Sequence, residues 1–162
     1  MQSSNCEPTA NMSYEDLIKQ TEARRPAAWE LLGVGAVAYD KTRDRVVIEW
    51  HAEPRHCHST EGHPKGGIVQ GGIITGWLDG AMATACLLRG EYRITVASLE
   101  IKVAFLLPAH PGLYRAYAKV VRQGRSIGFL EAELRDSNDL LIATASSTAA
   151  LRAKNPAGES PA

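Results

Sequence analysis

The segment from Val69 to Leu88, VQGGIITGWLDGAMATACLL, constrains the fold more than any other part of the chain. It is almost entirely apolar and small, opens with two glycines after Gln70, and carries one carboxylate, Asp79. At about 100° per residue, its bulky side chains fall on one helical face and its small residues on the other. The bulky face comprises Ile73, Ile74, Trp77, Leu78, Ala81, Ala85 and Leu88, and the small face comprises Gly72, Gly76, Asp79, Ala83 and Cys86. We therefore predict a long helix whose bulky face packs on a sheet and whose small face admits another backbone.

The other segments of the chain predict that sheet. Ser13 and Asp16 form a helix-start box, and Pro26 ends the first helix. Two strands, Val34–Asp40 and Arg45–Ala52, precede a Gly- and His-rich loop. Four more strands, separated by polar turns, follow the long helix in ASLEIKVAFL, LYRAYAKVV, GFLEAELRD and LLIATASSTAALR. Because tight turns join antiparallel strands, we predict an α+β fold with the long helix across one face of an antiparallel sheet.

Strand faces and domain limits follow from the same patterns. Between residues 98 and 105 apolar side chains alternate with smaller or charged ones, which predicts one apolar face on this strand. The apolar set is Leu99, Ile101, Val103 and Phe105, and the other set is Ser98, Glu100, Lys102 and Ala104. The length of 162 residues fits a single domain, which we place at residues 13–152. Residues 1–12 and 153–162 have the composition of disordered tails.

Charge and cysteine content exclude several classes of partner. Lys plus Arg and Asp plus Glu each number 18, so no basic face is expected for nucleic acid or an anionic membrane. The N-terminus lacks the pattern of a signal peptide, and no long uninterrupted apolar run predicts a transmembrane helix. The 3 cysteines are few and widely spaced, which favours a reducing cytoplasm over a disulfide framework.

Asp79 is the strongest candidate for catalysis in the chain. A carboxylate on a face of small residues is either the polar side of an amphipathic helix, a paired core acid, or a functional group. Gly71 and Gly72 begin the helix, so their backbone N–H groups lack intrahelical partners and could polarise a carbonyl. A tight entry turn is the simpler reading of the two glycines, and their significance depends on Asp79.

The spacing of Gly71 and Asp79 predicts a dimer. Eight residues separate them, which is about 12 Å along a helix. A base and an oxyanion donor that act on one carbonyl must lie within roughly 3–4 Å of it. One helix therefore cannot supply both groups, whereas two antiparallel copies in a two-fold homodimer could supply one group each.

The residues from Gly66 to Asp79, GGIVQGGIITGWLD, resemble the PaaI-like branch of the hotdog-fold thioesterases. The shared pattern is a loop glycine, His or Gln followed by two glycines, and an acid nine positions after the His or Gln. A strand ending in VAFLLPAHPG adds to the resemblance, which covers about residues 30–151. It implies a hotdog fold, with an antiparallel sheet wrapped around a long central helix, and hydrolysis of acyl-CoA thioesters at a dimer interface, without a cofactor.

The resemblance also implies roles for individual residues. Asp79 matches the catalytic acid, as nucleophile or general base, and the Gly71 N–H matches the donor to the thioester carbonyl. Ser98 matches a hydroxyl that positions the attacking water in some members. Gln70 stands where many members have His and is therefore assigned to the catalytic residues with Asp79, Gly71 and Ser98. The upstream loop amide is missing, so His63 is the candidate for its place.

The remaining candidates concern substrate binding and metal. Gly72 and Ala83 flank Asp79 on the small face and are predicted to contact substrate. Arg122 and Arg125 near the turn RQGRS could bind coenzyme A phosphates, or they could simply be solvated. The loop HCHSTEGH lacks a standard zinc spacing, so we expect a polar loop at the site entrance rather than a metal site.

Three functions remain open at this stage. The leading one is an acyl-CoA thioesterase, a homodimer that could pair further into a tetramer. The second is a non-catalytic hotdog protein that binds an acyl or aromatic ligand. The third is a dehydratase or hydratase, which Gln70 disfavours because such an enzyme would need a catalytic His there. Cys86 has no neighbouring base in the sequence, so it is expected to be a buried small side chain rather than a nucleophile.

Overall fold

The computed structural model describes residues 12–154, and the predicted tails fall outside this range except for Met12, Ala153 and Lys154. The helices are α1 (Tyr14–Ala23), α2 (Ala27–Leu31) and α3 (Gly71–Arg89), with a single 3₁₀ turn at Pro54–His56. The strands are β1 (Val34–Asp40), β2 (Arg45–Ala52), β3 (Cys57–His58), β4 (Ile68–Val69), β5 (Ile94–Phe105), β6 (Gly112–Gln123), β7 (Ile127–Asp136) and β8 (Leu141–Ala153). The prediction missed α2 and the short strands β3 and β4.

Six of the strands form one antiparallel sheet in the order β1-β2-β6-β7-β8-β5. Helix α3 lies across this sheet and contacts β2, β5, β6, β7 and β8. The α+β prediction with a long central helix is confirmed. The two edge strands of the sheet are β1 and β5. Helices α1 and α2 contact β1, and β5 follows α3 in the chain.

The core fills the space between α3 and the sheet. Trp77 and Leu78 of α3 are fully buried, as are Ile48 and Trp50 of β2. Trp50 stacks on Trp77 with ring centroids 6.1 Å apart. Burying each such side chain contributes about 1.5–3 kcal/mol, so the predicted bulky face of α3 is what fixes the helix on the sheet.

The predicted small face of α3 is not one continuous open stripe, which corrects the sequence analysis. A Cβ on Gly76 would lie 3.2 Å from the side chain of Leu32, just after α2. Cys86 is fully buried, with its Sγ near Gly128. The chain itself therefore covers two positions of the stripe: Leu32, just after α2, packs on Gly76, and the sheet packs on Cys86, whereas Gly72 remains exposed. Asp79 and Ala83 are only partly buried.

Helix α1 begins as predicted. The Ser13 hydroxyl accepts a hydrogen bond from the Asp16 N–H at 3.2 Å and donates one to the Asp16 carboxylate at 2.7 Å. The helix ends at Ala23, before Pro26, and a hydrogen bond of 2.6 Å joins the hydroxyls of Thr21 and Tyr92. This bond ties α1 to the turn that follows α3.

A β-bulge in β5 corrects the predicted alternation. Ser98 pairs with Ala149 and Glu100 pairs with Thr148, so Leu99 is an extra residue without a partner in β8. The bulge puts Ser98 on the helix-facing side together with Ile101 and leaves Leu99 61% exposed. A strict alternation would have turned Ser98 away from α3.

Helix α3 is long and apolar enough to cross a membrane by length and composition alone, with a mean hydropathy of 1.3 over its most apolar 18-residue window. Half of that window is buried inside the protein. A helix that forms the centre of a protein core can meet the same criteria of length and composition.

Candidate active site

Asp79 and Ser98 form the centre of the candidate site. The Ser98 hydroxyl donates a hydrogen bond of 2.6 Å to Oδ1 of Asp79, which joins the middle of α3 to β5 at the bulge. Within residues 12–154 the second oxygen, Oδ2, has no hydrogen-bond partner. The carboxylate is partly exposed, so Oδ2 can accept a proton from a water molecule or attack an electrophile.

The N-terminus of α3 forms the second part of the site. The side-chain oxygen of Gln70 caps the helix, accepting hydrogen bonds from the N–H groups of Gly72 at 2.5 Å and Ile73 at 3.2 Å. The Gly71 N–H donates to no acceptor in the described part of the chain. The positive end of the helix dipole adds to this free donor, so the position favours an oxygen that gains negative charge.

Gln70 thus has a structural role that its assignment to catalysis did not include. By accepting from Gly72 and Ile73, its side chain takes up two of the N–H groups at the helix start and leaves the Gly71 N–H as the free one. Gln70 itself is exposed, and so is Gly72.

Phe105, which the sequence analysis did not assign to the site, lies against Gly71. A Cβ on Gly71 would lie 3.2 Å from Cζ of the Phe105 ring. The ring nevertheless remains 52% exposed. It sits at the end of β5, on the helix-facing side, whereas the sequence pattern had suggested only an apolar strand residue.

Loop 59–67, which precedes β4 and α3, is held by interactions of two histidines, His63 and His110. The His110 Nδ1 donates to the carbonyl of Gly67 at 2.8 Å, and the rings of His63 and His110 lie 5.2 Å apart. The Nδ1 of His63 accepts from the N–H of Lys65 at 3.2 Å. Gly67 has φ 123° and a Cβ there would lie 2.8 Å from Cβ of Cys57, so this position requires glycine. No hydrogen bond or ion pair within residues 12–154 joins His63 to Gln70, Gly71 or Asp79.

His56 does not lie at the site entrance, contrary to the interpretation of the loop as a polar lining. It is buried at 4% exposure. Its Nδ1 accepts from the Glu53 N–H at 3.0 Å, so its Nε2 donates to the Leu31 carbonyl at 2.8 Å. The ring therefore holds α2 against the 3₁₀ turn. Among residues 12–154, no group of three or more His, Cys, Asp or Glu side chains is arranged to hold a metal ion.

Arg122 and Arg125 are exposed at the turn between β6 and β7. Two strands, β7 and β8, separate β6, which carries Arg122, from β5, which carries Ser98, and this corresponds to about 14 Å across the sheet. The structure does not bring the two arginines together with Asp79 in one chain.

Cys86 is not a nucleophile of this site. Burial raises the pKa of its thiol to about 11, and the charge of Arg89 offsets this only in part. The side chain is fully enclosed, so both its protonation and its position keep it from reacting with a substrate.

Comparison with known proteins agrees with the fold and the site region. The sequence model of the thioesterase superfamily matches residues 66–143, a segment that includes α3 and β5. A candidate esterase of Saccharolobus solfataricus is 29% identical over 134 residues, covering 81% of this chain and 89% of that protein.

Solved structures show the same architecture. A thioesterase of Haemophilus influenzae superposes with a TM-score of 0.72 at 20% identity, over 88% of this chain and 92% of that one. A phenylacetic acid degradation-related protein of Ralstonia eutropha JMP134 gives a TM-score of 0.69 at 27% identity, over 85% of this chain and 99% of that one. The chain therefore has the hotdog fold, and its residues 66–143, which include the GGIVQGGIITGWLD motif, are similar to the thioesterase superfamily.

Proposed function

We propose that the protein hydrolyses an acyl-CoA thioester to a free acid and coenzyme A, with Asp79 as the catalytic carboxylate. The similarity of residues 66–143 to the thioesterase superfamily supports hydrolysis of an acyl thioester in general. The observation that carries the specific proposal is the Asp79–Ser98 pair, because it leaves one carboxylate oxygen free on a partly exposed face of α3.

The reaction requires a group that accepts a proton and one that stabilises an oxyanion. A water oxygen attacks the thioester carbonyl carbon while Oδ2 of Asp79 takes the water proton. The carbonyl oxygen gains negative charge and is held by the Gly71 N–H. The carbon–sulfur bond then breaks, and the thiolate of coenzyme A leaves and is protonated. In the alternative route, Oδ2 itself attacks the carbonyl carbon, the carbon–sulfur bond breaks with departure of the coenzyme A thiolate, and water then hydrolyses the resulting anhydride to regenerate the Asp79 carboxylate and release the free acid.

The two groups come from different copies of the chain in this proposal. Gly71 and Asp79 lie on one continuous helix, so about 12 Å separates them along its axis. Strand β5 is an edge strand of 12 residues with Leu99 exposed beside the site, which is the kind of edge that pairs with another chain. A second copy that pairs along β5 would extend the sheet and set the two α3 helices side by side.

Substrate binding completes the proposal. Gly72 and Ala83, which share the small face of α3 with Asp79, are proposed to contact the acyl thioester, and His63 to border its entrance. Arg122 and Arg125 are exposed and make no ion pair within the described residues, so they are proposed to bind the phosphates of coenzyme A. Dimers could pair further into tetramers.

The experiment is thiol release from a panel of acyl-CoA thioesters by the wild-type protein and by Asp79→Asn. The substitution keeps the shape of the side chain and removes its charge, so turnover should fall by roughly 10²–10⁴-fold, the usual loss for a missing general base. The matched control is Asp139→Asn on the turn between β7 and β8, where the carboxylate is 80% exposed, and its turnover should be unchanged.

Near-normal turnover by Asp79→Asn would refute the assignment. Tight binding of acyl-CoA without turnover by the wild-type protein would instead support a non-catalytic ligand-binding protein. Circular dichroism and thermal unfolding of each variant should show that the fold is retained.

A further inference from the structure

Phe105 has an unusual environment for an aromatic residue at the end of a strand. It lies on the helix-facing side of β5, where Ile101 and Val103 pack against the core, yet half of its surface is exposed. Its ring contacts the backbone at Gly71, at the start of α3. An apolar ring that remains open to solvent beside a free N–H group is placed to meet a ligand.

We propose that Phe105 selects the acyl group of the substrate and favours uncharged hydrocarbon chains. This inference rests on the proposed function, because it uses the Gly71 N–H as the donor to the thioester carbonyl. A carbonyl oxygen bound to that N–H lies about 2.9 Å from the nitrogen. The first carbons attached to the carbonyl are then within van der Waals reach of a ring that itself contacts Gly71.

The chemistry of the ring distinguishes the acyl chain from the pantetheine arm. Pantetheine carries two amides, which would lose hydrogen bonds with water against a bare hydrocarbon ring. A hydrocarbon chain loses none and gains from leaving water. The pantetheine arm is also the same in every acyl-CoA, so only a contact with the acyl group can discriminate between substrates.

Charge near the ring argues against an acyl group with a second carboxylate. The cations that lie over aromatic rings in the described chain are Arg24 and Lys154 over Tyr92, and Arg45 over Tyr117. None of these cations lies over Phe105, so a second carboxylate placed against this ring would exchange part of its water for hydrocarbon without gaining a cation on the ring face. Hexanoyl-CoA should therefore be preferred over succinyl-CoA.

The first test compares kcat/KM for acetyl-, hexanoyl- and succinyl-CoA in Phe105→Ala, Phe105→Leu and the wild-type protein. Phe105→Ala should lower kcat/KM for hexanoyl-CoA about tenfold and for acetyl-CoA less than about threefold, because acetyl has only one carbon to place on the ring. Phe105→Leu keeps an apolar surface and should retain most of the preference for hexanoyl-CoA.

The matched control is Phe129→Ala. Phe129 is the only other phenylalanine in the chain and is 45% exposed on β7. Its loss should leave the ratio of kcat/KM between hexanoyl- and acetyl-CoA unchanged. An unchanged ratio in Phe105→Ala would overturn the proposal, and so would a change in oligomeric state that accounts for its loss of activity.

The second test asks which copy supplies Phe105. The ring contacts Gly71 of its own chain, so it lines the site whose Asp79 comes from the other copy. Mixed dimers of Asp79→Asn and Phe105→Ala should contain one site with intact Gly71, Phe105 and Asp79. Their activity should show the wild-type ratio between hexanoyl- and acetyl-CoA, whereas the ratio of Phe105→Ala would place the ring beside Asp79 of its own chain and overturn the assignment.

A binding measurement separates this proposal from the proposed function. The probe is 2-oxoheptyl-CoA, a ketone that resembles hexanoyl-CoA but cannot be hydrolysed, compared with free coenzyme A. If the wild-type protein hydrolyses no thioester, the proposed function fails, but Phe105→Ala should still weaken binding of the ketone about tenfold relative to coenzyme A. Equal affinity of Phe105→Ala and wild type for the ketone would overturn the role of Phe105, whatever the outcome for hydrolysis.

Discussion

The two oxygens of the Asp79 carboxylate have different hydrogen-bond environments. Oδ1 accepts the hydrogen bond from Ser98, and Oδ2 has no partner in the described chain. The Ser98 hydroxyl fixes the orientation of the carboxylate plane, because rotation about the side-chain bond would break a bond of 2.6 Å. An oriented carboxylate with one free oxygen requires less reorganisation when it accepts a proton.

The buried thiol of Cys86 provides a prediction about the reactivity of a single residue. Burial raises the pKa of its thiol from the ordinary value of 9.0 to about 11. At pH 8, iodoacetamide should therefore modify Cys57, which is partly exposed, much faster than Cys86 in the folded protein. Peptide mass spectrometry would measure the two rates, and both thiols should react in urea.

The raised pKa of the Cys86 thiol also affects the stability of the folded protein at alkaline pH. The unfolded thiol loses its proton at a lower pH than the folded one, so unfolding is favoured as pH rises from about 9 towards 11. Cys86→Ala should weaken that part of the pH dependence. In the iodoacetamide experiment described above, rapid alkylation of Cys86 in the folded protein at pH 8 would contradict its buried position.

Among the elements, the start of α3 is held by an unusual cap. Gln70 provides a side-chain oxygen to two N–H groups, a role more often filled by Ser, Thr, Asp or Asn. Gln70→Ala should lower the free energy of unfolding by about 1 kcal/mol, whereas Gln70→Asn should retain most of the cap. Urea denaturation of the three proteins would measure this, and equal stability of Gln70→Ala and wild type would show that the cap contributes nothing.

The sequence predicted most of the elements because their patterns are local. Strands β1 and β2 match their predicted limits, since alternating residues such as Val46 and Ile48 are enough to define a half-buried strand. Helix α3 was predicted from its apolar period and glycine start. The tertiary fold and the family were then predicted from the resemblance of residues 66–79.

Features that depend on distant contacts were not predictable in this way. The bulge at Leu99 depends on the pairing of β5 with β8, and no local signal marks it. Leu32 covers Gly76 because α2 packs across α3, and a five-residue helix has too short a period to detect. The approach of Phe105 to Gly71 likewise joins residues 34 positions apart.

For the molecule as a whole, the exposed edge of β5 predicts self-association. Leu99 is exposed on this edge in the single chain, whereas Leu31 is exposed on α2, near the β1 edge. Leu99→Arg would set like charges into a two-fold interface along β5, at a cost of several kcal/mol, and should give monomers at micromolar concentration. Light scattering should show dimers for the wild type and for Leu31→Arg, and a stable wild-type monomer would refute the dimer.

A complementation experiment tests whether the two copies share each site. Gly71→Val should block approach of a carbonyl to the N–H, and its extra carbons would also press on Phe105. Refolded together, Gly71→Val and Asp79→Asn should recover about a quarter of wild-type activity, because half of the dimers are mixed and each has one intact site. Each variant refolded alone is the control. Mixed dimers without activity would show that Asp79 does not act with Gly71 of another copy.

The extra residue at Leu99 also determines which changes of length β5 can accept. In a regular strand every second side chain faces the same way, so removing one residue turns everything beyond it to the opposite side. Ser98 and Ile101 already face α3 although three positions separate them. Deleting Leu99 would restore a regular ladder with both residues still facing the helix, whereas deleting Lys102 would rotate one half of the strand away from it. The bulge is thus a place in β5 where the chain can be shortened by a residue without turning Ser98 or the Phe105 ring to the wrong side.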